Sequence, residues 1–146
     1  MTKIHTYLNF NGTCEEAFLF YSSVFKPPLT AIHRMKDLPP DPEYPINSTD
    51  ANLVMHTSLK LNEHTMLMGS DCVESFGQKV VNGNNTSIMI DTKTKEEAQA
   101  IYEALSKNAQ KIEMPLGEQF WAELYASFID QFGIGWMVHY EGNKAV

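Results

Sequence analysis

Glu15-Glu16-Ala17-x-x-x-Tyr21 recurs as Glu96-Glu97-Ala98-x-x-x-Tyr102, an offset of 81 residues in a chain of 146. Each copy follows a strand-like run, Ile4 to Phe10 and then Thr86 to Asp91. A long unit used only twice argues against a solenoid, which stacks three or more short repeats, and for a duplicated supersecondary unit. Two related halves usually share a cleft. The offset also acts as a ruler, since the mate of a residue in the first half can be sought 81 positions on.

Hydropathy patterning gives both halves the same order. Ile4, Leu8 and Phe10 alternate with His5, Tyr7 and Asn9, the pattern of a half-buried strand. Thr13 is placed to cap a helix with Glu15 and Glu16 in its first turn, ending before Pro27-Pro28. Leu29 to Met35, Leu53 to Leu61 and His64 to Ser70 read as strands, the last two as a hairpin across Asn62-Glu63. Asp37 to Asp50, with Pro39, Pro40, Pro42 and Pro45, is a loop of the length that often forms a lid or binding loop. After a polar linker, 71–84, the second half repeats the order. It has a strand from Thr86 to Asp91, a helix from Lys95 to Lys107 capped by Thr94, and strands Lys111–Leu116, Phe120–Ile129 (whose Ala-Glu-Leu-Tyr centre also suits a helix) and Ile134–Tyr140. Each half is therefore β-α-β-β-β.

Composition narrows the function classes. The 11 Lys and Arg against 18 Asp and Glu give a net charge of −7, and no basic cluster is present, which argues against nucleic acid as a partner. No run approaches the roughly 20 apolar residues of a membrane helix, and the N-terminus lacks an apolar signal core. Cys14 and Cys72 form no CxxC pair, so the expectation is free thiols in the cytoplasm.

Several segments carry a family resemblance. They are Tyr7-Leu-Asn-Phe-Asn-Gly12 followed by Glu15-Glu-Ala17 and Phe20-Tyr21, His56-x-x-Leu59 with Met66-Leu-Met-Gly-Ser-Asp71, and Lys111-Ile-Glu-Met114. The most specific block is Phe120-Trp-Ala122 with Asp130-Gln-Phe-Gly-Ile-Gly-Trp-Met137. With these in order along nearly the whole chain, the sequence resembles the PhnB-like branch of the vicinal oxygen chelate superfamily. That group includes glyoxalases, bleomycin-resistance proteins and extradiol dioxygenases. The resemblance implies a single α+β domain of two βαβββ modules, 1–75 and 84–146, with the linker at 71–84. These modules would form one cupped, partly closed mixed sheet around a pocket, and the protein would be a homodimer. Some members of this branch carry a methyltransferase label, but no Gly-rich loop follows the first strand here to hold S-adenosylmethionine.

Metal-using relatives draw four ligands from the first and last strands of each half, for a divalent ion acting as a Lewis acid. Transferred to this chain, His5 takes the first position, Thr86 is its mate by the 81-residue ruler, and Met68 and Met137 take the other two. One imidazole, a hydroxyl and two thioethers suit Zn, Ni, Mn or Fe(II) poorly, and no carboxylate enters on those strands. His5 is the only plausible ligand, so no cofactor is expected. The implied pocket is lined by His5, Tyr7, His56, Met68, Ser70, Thr86, Trp121, Tyr125 and Met137, with Met66, Met114 and Trp136 as further candidates. Methionines and aromatics make an adaptable wall for a small-molecule ligand, although each has an ordinary core role as its alternative. Glu118 is weighed as an acid or base beside an idle surface role, and Cys14 as a thiol near a helix start. Two other functions stay open. One is a metal-dependent glyoxalase- or dioxygenase-type enzyme anchored on His5, with further ligands from Ser70, Glu118, His139 or a partner chain. The other is a drug-sequestering resistance protein.

Overall fold

The computed structural model describes residues 1–144. The chain divides into two compact units, Met1–Val81 and Asn82–Val146. The first runs β1 (Thr6–Phe10), α1 (Cys14–Phe25), β2 (Ile32–Arg34), β3 (Val54–Lys60) and β4 (Met66–Asp71). The second runs β5 (Ile88–Asp91), α2 (Lys95–Leu105), β6 (Lys111–Gln119), β7 (Ala122–Ile129) and β8 (Gly135–Tyr140). The βαβββ order is present twice, and the architecture is α+β.

Each unit holds its own four-stranded mixed sheet, ordered β1-β4-β3-β2 and β5-β8-β7-β6. The one partly closed sheet expected from the sequence is thus two open sheets. In each, the first strand lies parallel to the last at an edge, and the remaining pairs are antiparallel. The opposite edge strand of the second unit, β6, carries Pro115, which an edge tolerates because one side of the strand needs no ladder donors.

One face of each sheet is covered by its helix. In the first unit Ala17, Phe18 and Tyr21 of α1 are fully buried, against Leu8, Phe10, Leu59 and Leu67. Gly69 is required there: a Cβ would come within 2.5 Å of the Phe18 ring. In the second unit Ala98 and Leu105 of α2 meet a core of Phe128, Trp136 and Val138.

Several expected boundaries shift for physical reasons. The strand expected over Leu29–Met35 is only Ile32–Arg34, because Met35–Asp37 turns as a 3₁₀ helix closed by the Arg34 amide donating to Asp37 Oδ2 at 2.9 Å. Asp71, expected to open the linker, is the buried last residue of β4. Thr13 does not cap α1 with its side chain. The Cys14 amide instead donates to Asp71 Oδ1 at 3.0 Å, and the Val54 amide donates to Oδ2 at 2.9 Å. A single buried carboxylate therefore ties the start of α1 to β3 and β4. In the second unit the expected cap does form, with the Glu97 amide donating to Thr94 Oγ1 at 3.1 Å. Among the described residues no helix is long and apolar enough to cross a membrane.

Candidate functional site

The face of each sheet left uncovered by its own helix gathers most of the candidate residues. In β1, Leu8 and Phe10 turn toward α1, so Tyr7 and Asn9 turn away. In β4, Leu67, Gly69 and Asp71 are buried, while Met66, Met68 and Ser70 occupy the free face. Register aligns them: Tyr7 sits beside Met68, Asn9 beside Ser70, and Ser58 of β3 beside Met68. The Tyr7 hydroxyl lies 3.3 Å from His56 Nδ1, with the rings 5.8 Å apart, and the Ser70 hydroxyl lies 3.4 Å from Asn9 Oδ1. Tyr7, His56, Met68 and Ser70 thus form one patch.

His5 precedes β1. Its Nδ1 accepts the Met66 amide at 3.1 Å. A neutral imidazole that accepts at Nδ1 carries its proton on Nε2, so the ring offers a donor and no second lone pair for a metal. His5 is fixed to the sheet by the backbone it bonds.

In the second unit β5 presents Met89 and Asp91, β8 presents Met137 and His139, and β7 presents Tyr125 and Ser127. Trp121, in the two-residue turn between β6 and β7, stands edge-on to Tyr125 at 5.3 Å and to Phe120 at 4.8 Å. Met114 of β6 is register partner to Ser127 on the same face. Trp136 is not a surface aromatic: it is buried, and its Nε1 donates to Asp130 Oδ2 at 2.8 Å. Thr86 lies in the exposed segment before β5 and joins no strand.

The ruler needs correcting. Helix residues repeat at 81, but the strand faces repeat at 82: Tyr7 matches Met89, Asn9 matches Asp91, and buried Phe10 matches buried Thr92. From Phe10 to the start of α1 at Cys14 is four residues along the chain, while from its match Thr92 to the start of α2 at Lys95 is three, and that difference flips the parity. The mate of His5 is Ser87, and Thr86 falls one residue out of phase. Met68 and Met137 remain equivalent, each the register partner of the matched Tyr7 and Met89.

The same shift brings a carboxylate onto the free face that the sequence reading missed. Asp91 Oδ1 lies 2.9 Å from His139 Nδ1. The alternation of Ile88 and Ile90 with Met89 and Asp91 is the signal that would have found it. Among the described residues, no three His, Cys, Asp or Glu side chains come together in a way that would hold a metal ion.

The other acid and thiol candidates are engaged elsewhere. Glu118 pairs with Lys144 Nζ at 2.6 Å, and that hydrogen bond and charge hold its carboxyl below the usual carboxylate range. An acid so held is ionised near neutrality and has no proton to give. Cys14 is fully buried; desolvation, reinforced by Asp71 and Glu15, pushes its thiol far above the ordinary range and leaves it unreactive.

Two hollows are lined by none of the free-face residues named above. One of about 530 Å³ is walled by the proline-rich loop, including Leu38, Pro40, Tyr44 and Ile46. The other, about 380 Å³, is lined by Lys95, Glu118, Glu123, Asn143 and Lys144. Glu118 is the only residue in either that the sequence had singled out as a chemical candidate.

The family model described as 3-demethylubiquinone-9 3-methyltransferase matches residues 2–139. The solved protein PA1353 from Pseudomonas aeruginosa is similar at 31% identity and a TM-score of 0.82, over 97% of this chain and 98% of that one. A PhnB protein from Bacillus cereus is similar at 26% identity and a TM-score of 0.71, over 95% and 99%. The fosfomycin resistance protein FosX from Mesorhizobium loti, at 9% identity, shares the fold alone, with a TM-score of 0.60 over 94% and 90%.

Proposed function

The chain belongs to the PhnB-like family whose model is described as 3-demethylubiquinone-9 3-methyltransferase, within the vicinal oxygen chelate superfamily, and on that premise we propose that it binds a small organic molecule without a catalytic divalent ion. The observation that carries the reading is the make-up of the free faces. In the first unit Met66 and Met68 share a face with Tyr7, and in the second Met89 and Met137 share a face with Tyr125, beside Trp121, with only a few hydrogen-bonding groups on each. Thioethers and aromatic rings give apolar contact that adapts to shape, and sparse polar groups orient a ligand.

The donor chemistry supports the metal-free part. His5 offers its Nδ1 to a backbone amide, and its neighbours at the family's ligand positions are thioethers and hydroxyls, which suit hard divalent ions poorly. Methyl transfer from S-adenosylmethionine, which the family's descriptive name suggests, finds little support in the residues. The turn after β1 is Asn11-Gly12-Thr13, without a glycine-rich run, and the first amide of α1 is already bonded to Asp71. The 530 Å³ hollow is a weaker candidate because its wall is an irregular loop, whereas the free faces rest on paired strands. A homodimer and a cytoplasmic location complete the proposal; light scattering on the eluted protein tests the first.

Differential scanning fluorimetry against a panel of flat apolar and aromatic compounds tests ligand binding. A true ligand at about 100 times its dissociation constant stabilises the fold by ~2.7 kcal/mol. The Met137→Glu variant is expected to lose that shift while keeping its own melting transition. A panel in which no compound stabilises the parent, or stabilises both proteins equally, would count against the reading.

A further inference from the structure

We propose that His139, held by Asp91, is a proton acceptor for a planar ligand bearing a weakly acidic hydroxyl, of the phenol or enol class. This deepens the small-molecule reading above and rests on it.

The residue is built into place from three sides. Its carbonyl accepts the Thr92 amide at 2.8 Å and the Thr92 hydroxyl at 3.0 Å, and Thr92 is buried. Its Nδ1 lies 2.9 Å from Asp91 Oδ1 on the register-matched position of β5. Since an ionised carboxylate only accepts, the ring donates from Nδ1, and its lone pair is left on Nε2. That nitrogen bonds to no other group among the described residues, and no buried side-chain nitrogen or oxygen there lacks a partner. Nε2 is therefore open to an incoming molecule, although the side chain as a whole is only 16% exposed. This is the reverse of His5, whose acceptor nitrogen is already bonded.

The surroundings select the ligand. Tyr125 is the register partner of His139 on β7, Trp121 stands against Tyr125, and Met137 lies two residues along β8 on the same face. Such walls favour a flat ring. Among titratable groups on the flanking strands, Asp91 and Tyr125 face His139, while Glu123 lies further along β7 against Gly142. The Asp91 carboxylate is 69% exposed, and it disfavours a ligand that arrives as an anion. A neutral hydroxyl meets no such penalty. Its proton passes to Nε2, the ligand keeps the O–H electron pair as phenolate or enolate, and the resulting imidazolium sits between that anion and Asp91.

The first unit supplies an internal comparison. The matched positions there hold Asn9 and Ser70, which are paired in the same register, 3.4 Å apart, and carry no titratable group. The scaffold does not require an acid and an imidazole at these positions, because the other copy folds without them. His139 is the proton acceptor, and Asp91 is a positioning residue.

The test uses the full chain with para-nitrophenol, whose phenolate is yellow, and nitrobenzene, which is equally flat but has no hydroxyl. The parent is expected to bind nitrophenol more tightly than nitrobenzene and to turn the bound probe yellow at a pH where the free probe stays largely colourless. His139→Gln should lose the colour and weaken nitrophenol about tenfold, the worth of one charge-assisted hydrogen bond, with nitrobenzene unchanged. Asp91→Asn, at an exposed position, should fold normally and reduce the colour partially. Bound nitrophenol that stays colourless, equal affinity for the two probes, or full colour in both variants would overturn the dyad while leaving the binding reading intact. Binding of neither probe would overturn the phenol-class ligand and count against the wider reading as well.

Discussion

Replacing Asp71 with alanine should be among the most damaging single changes in the first unit. The carboxylate is buried and accepts two backbone amides, from Cys14 at 3.0 Å and from Val54 at 2.9 Å. Hydrogen bonds to a charged group contribute about 1.5–3 kcal/mol each. Both donors are themselves nearly inaccessible, so water cannot readily replace the lost acceptor. A loss of about 3–5 kcal/mol follows, which for a chain of this length lowers the melting temperature by about 10 °C. Asp71→Asn keeps one acceptor but turns an amide donor toward the second N–H, so it should recover less than half of the loss. Urea unfolding followed by circular dichroism gives the free energy from the midpoint, with the slope expected to hold steady. Ser70→Ala, the adjacent residue on the free face, serves as the control and should cost about 0.5 kcal/mol or less. An Asp71→Ala protein within about 0.5 kcal/mol of the parent would refute the argument that this carboxylate joins α1 to β3 and β4.

The two helix starts should respond differently to the same change: Thr94→Ala is expected to cost about 1 kcal/mol, and Thr13→Ala a few tenths, as measured by urea unfolding. Native protein titrated with a thiol reagent should show slow or no reaction at buried Cys14 and faster reaction at partly exposed Cys72, with both reacting after denaturation. Arg34 bonds both oxygens of Glu15, at 3.2 and 2.8 Å, and the hydrogen bond holds that carboxyl below the usual range. A depressed folded value means the stabilisation is present above the ordinary carboxylate range and is lost as pH falls through the folded value. Because Glu15 is 41% exposed, Arg34→Ala should destabilise only slightly at neutral pH, and the part of that loss owed to Glu15 should vanish once Glu15 is protonated, leaving the part owed to the Arg34 bond to the Asn52 carbonyl, in paired unfolding curves.

The sequence carried most of the fold because the signals were local. Alternation in β1, the acidic first turns of both helices, and the prolines after α1 each act within a few residues. The free face of the first unit was legible for the same reason: Tyr7, Met68 and Ser70 follow from strand parity alone. What the sequence hid depends on relations that are distant along the chain. The role of Asp71 requires knowing that the end of β4 meets the start of α1 and the entry to β3. The Asp91–His139 pair requires the parallel register of β5 with β8. The helix motif measured the wrong interval for the strands, since the path from Thr92 to Lys95 is one residue shorter than the matched path from Phe10 to Cys14, which leaves helix spacing at 81 while strand faces repeat at 82. That slip placed Thr86 in the site and kept Asp91 out of it. Trp136 was ambiguous for a simpler reason, because an indole is large enough to serve as core or as pocket wall, and the fold uses it as core.

The central claim is a small-molecule site that works without a catalytic divalent ion, and metal titration of the purified chain tests it most directly. After dialysis against Ni, Zn, Mn and Fe(II) in turn, followed by a metal-free wash, elemental analysis should find far less than one ion per chain, and His5→Ala should match the parent. One tightly retained ion per parent chain, lost in His5→Ala, would contradict the account and favour the metal-dependent alternative anchored on His5.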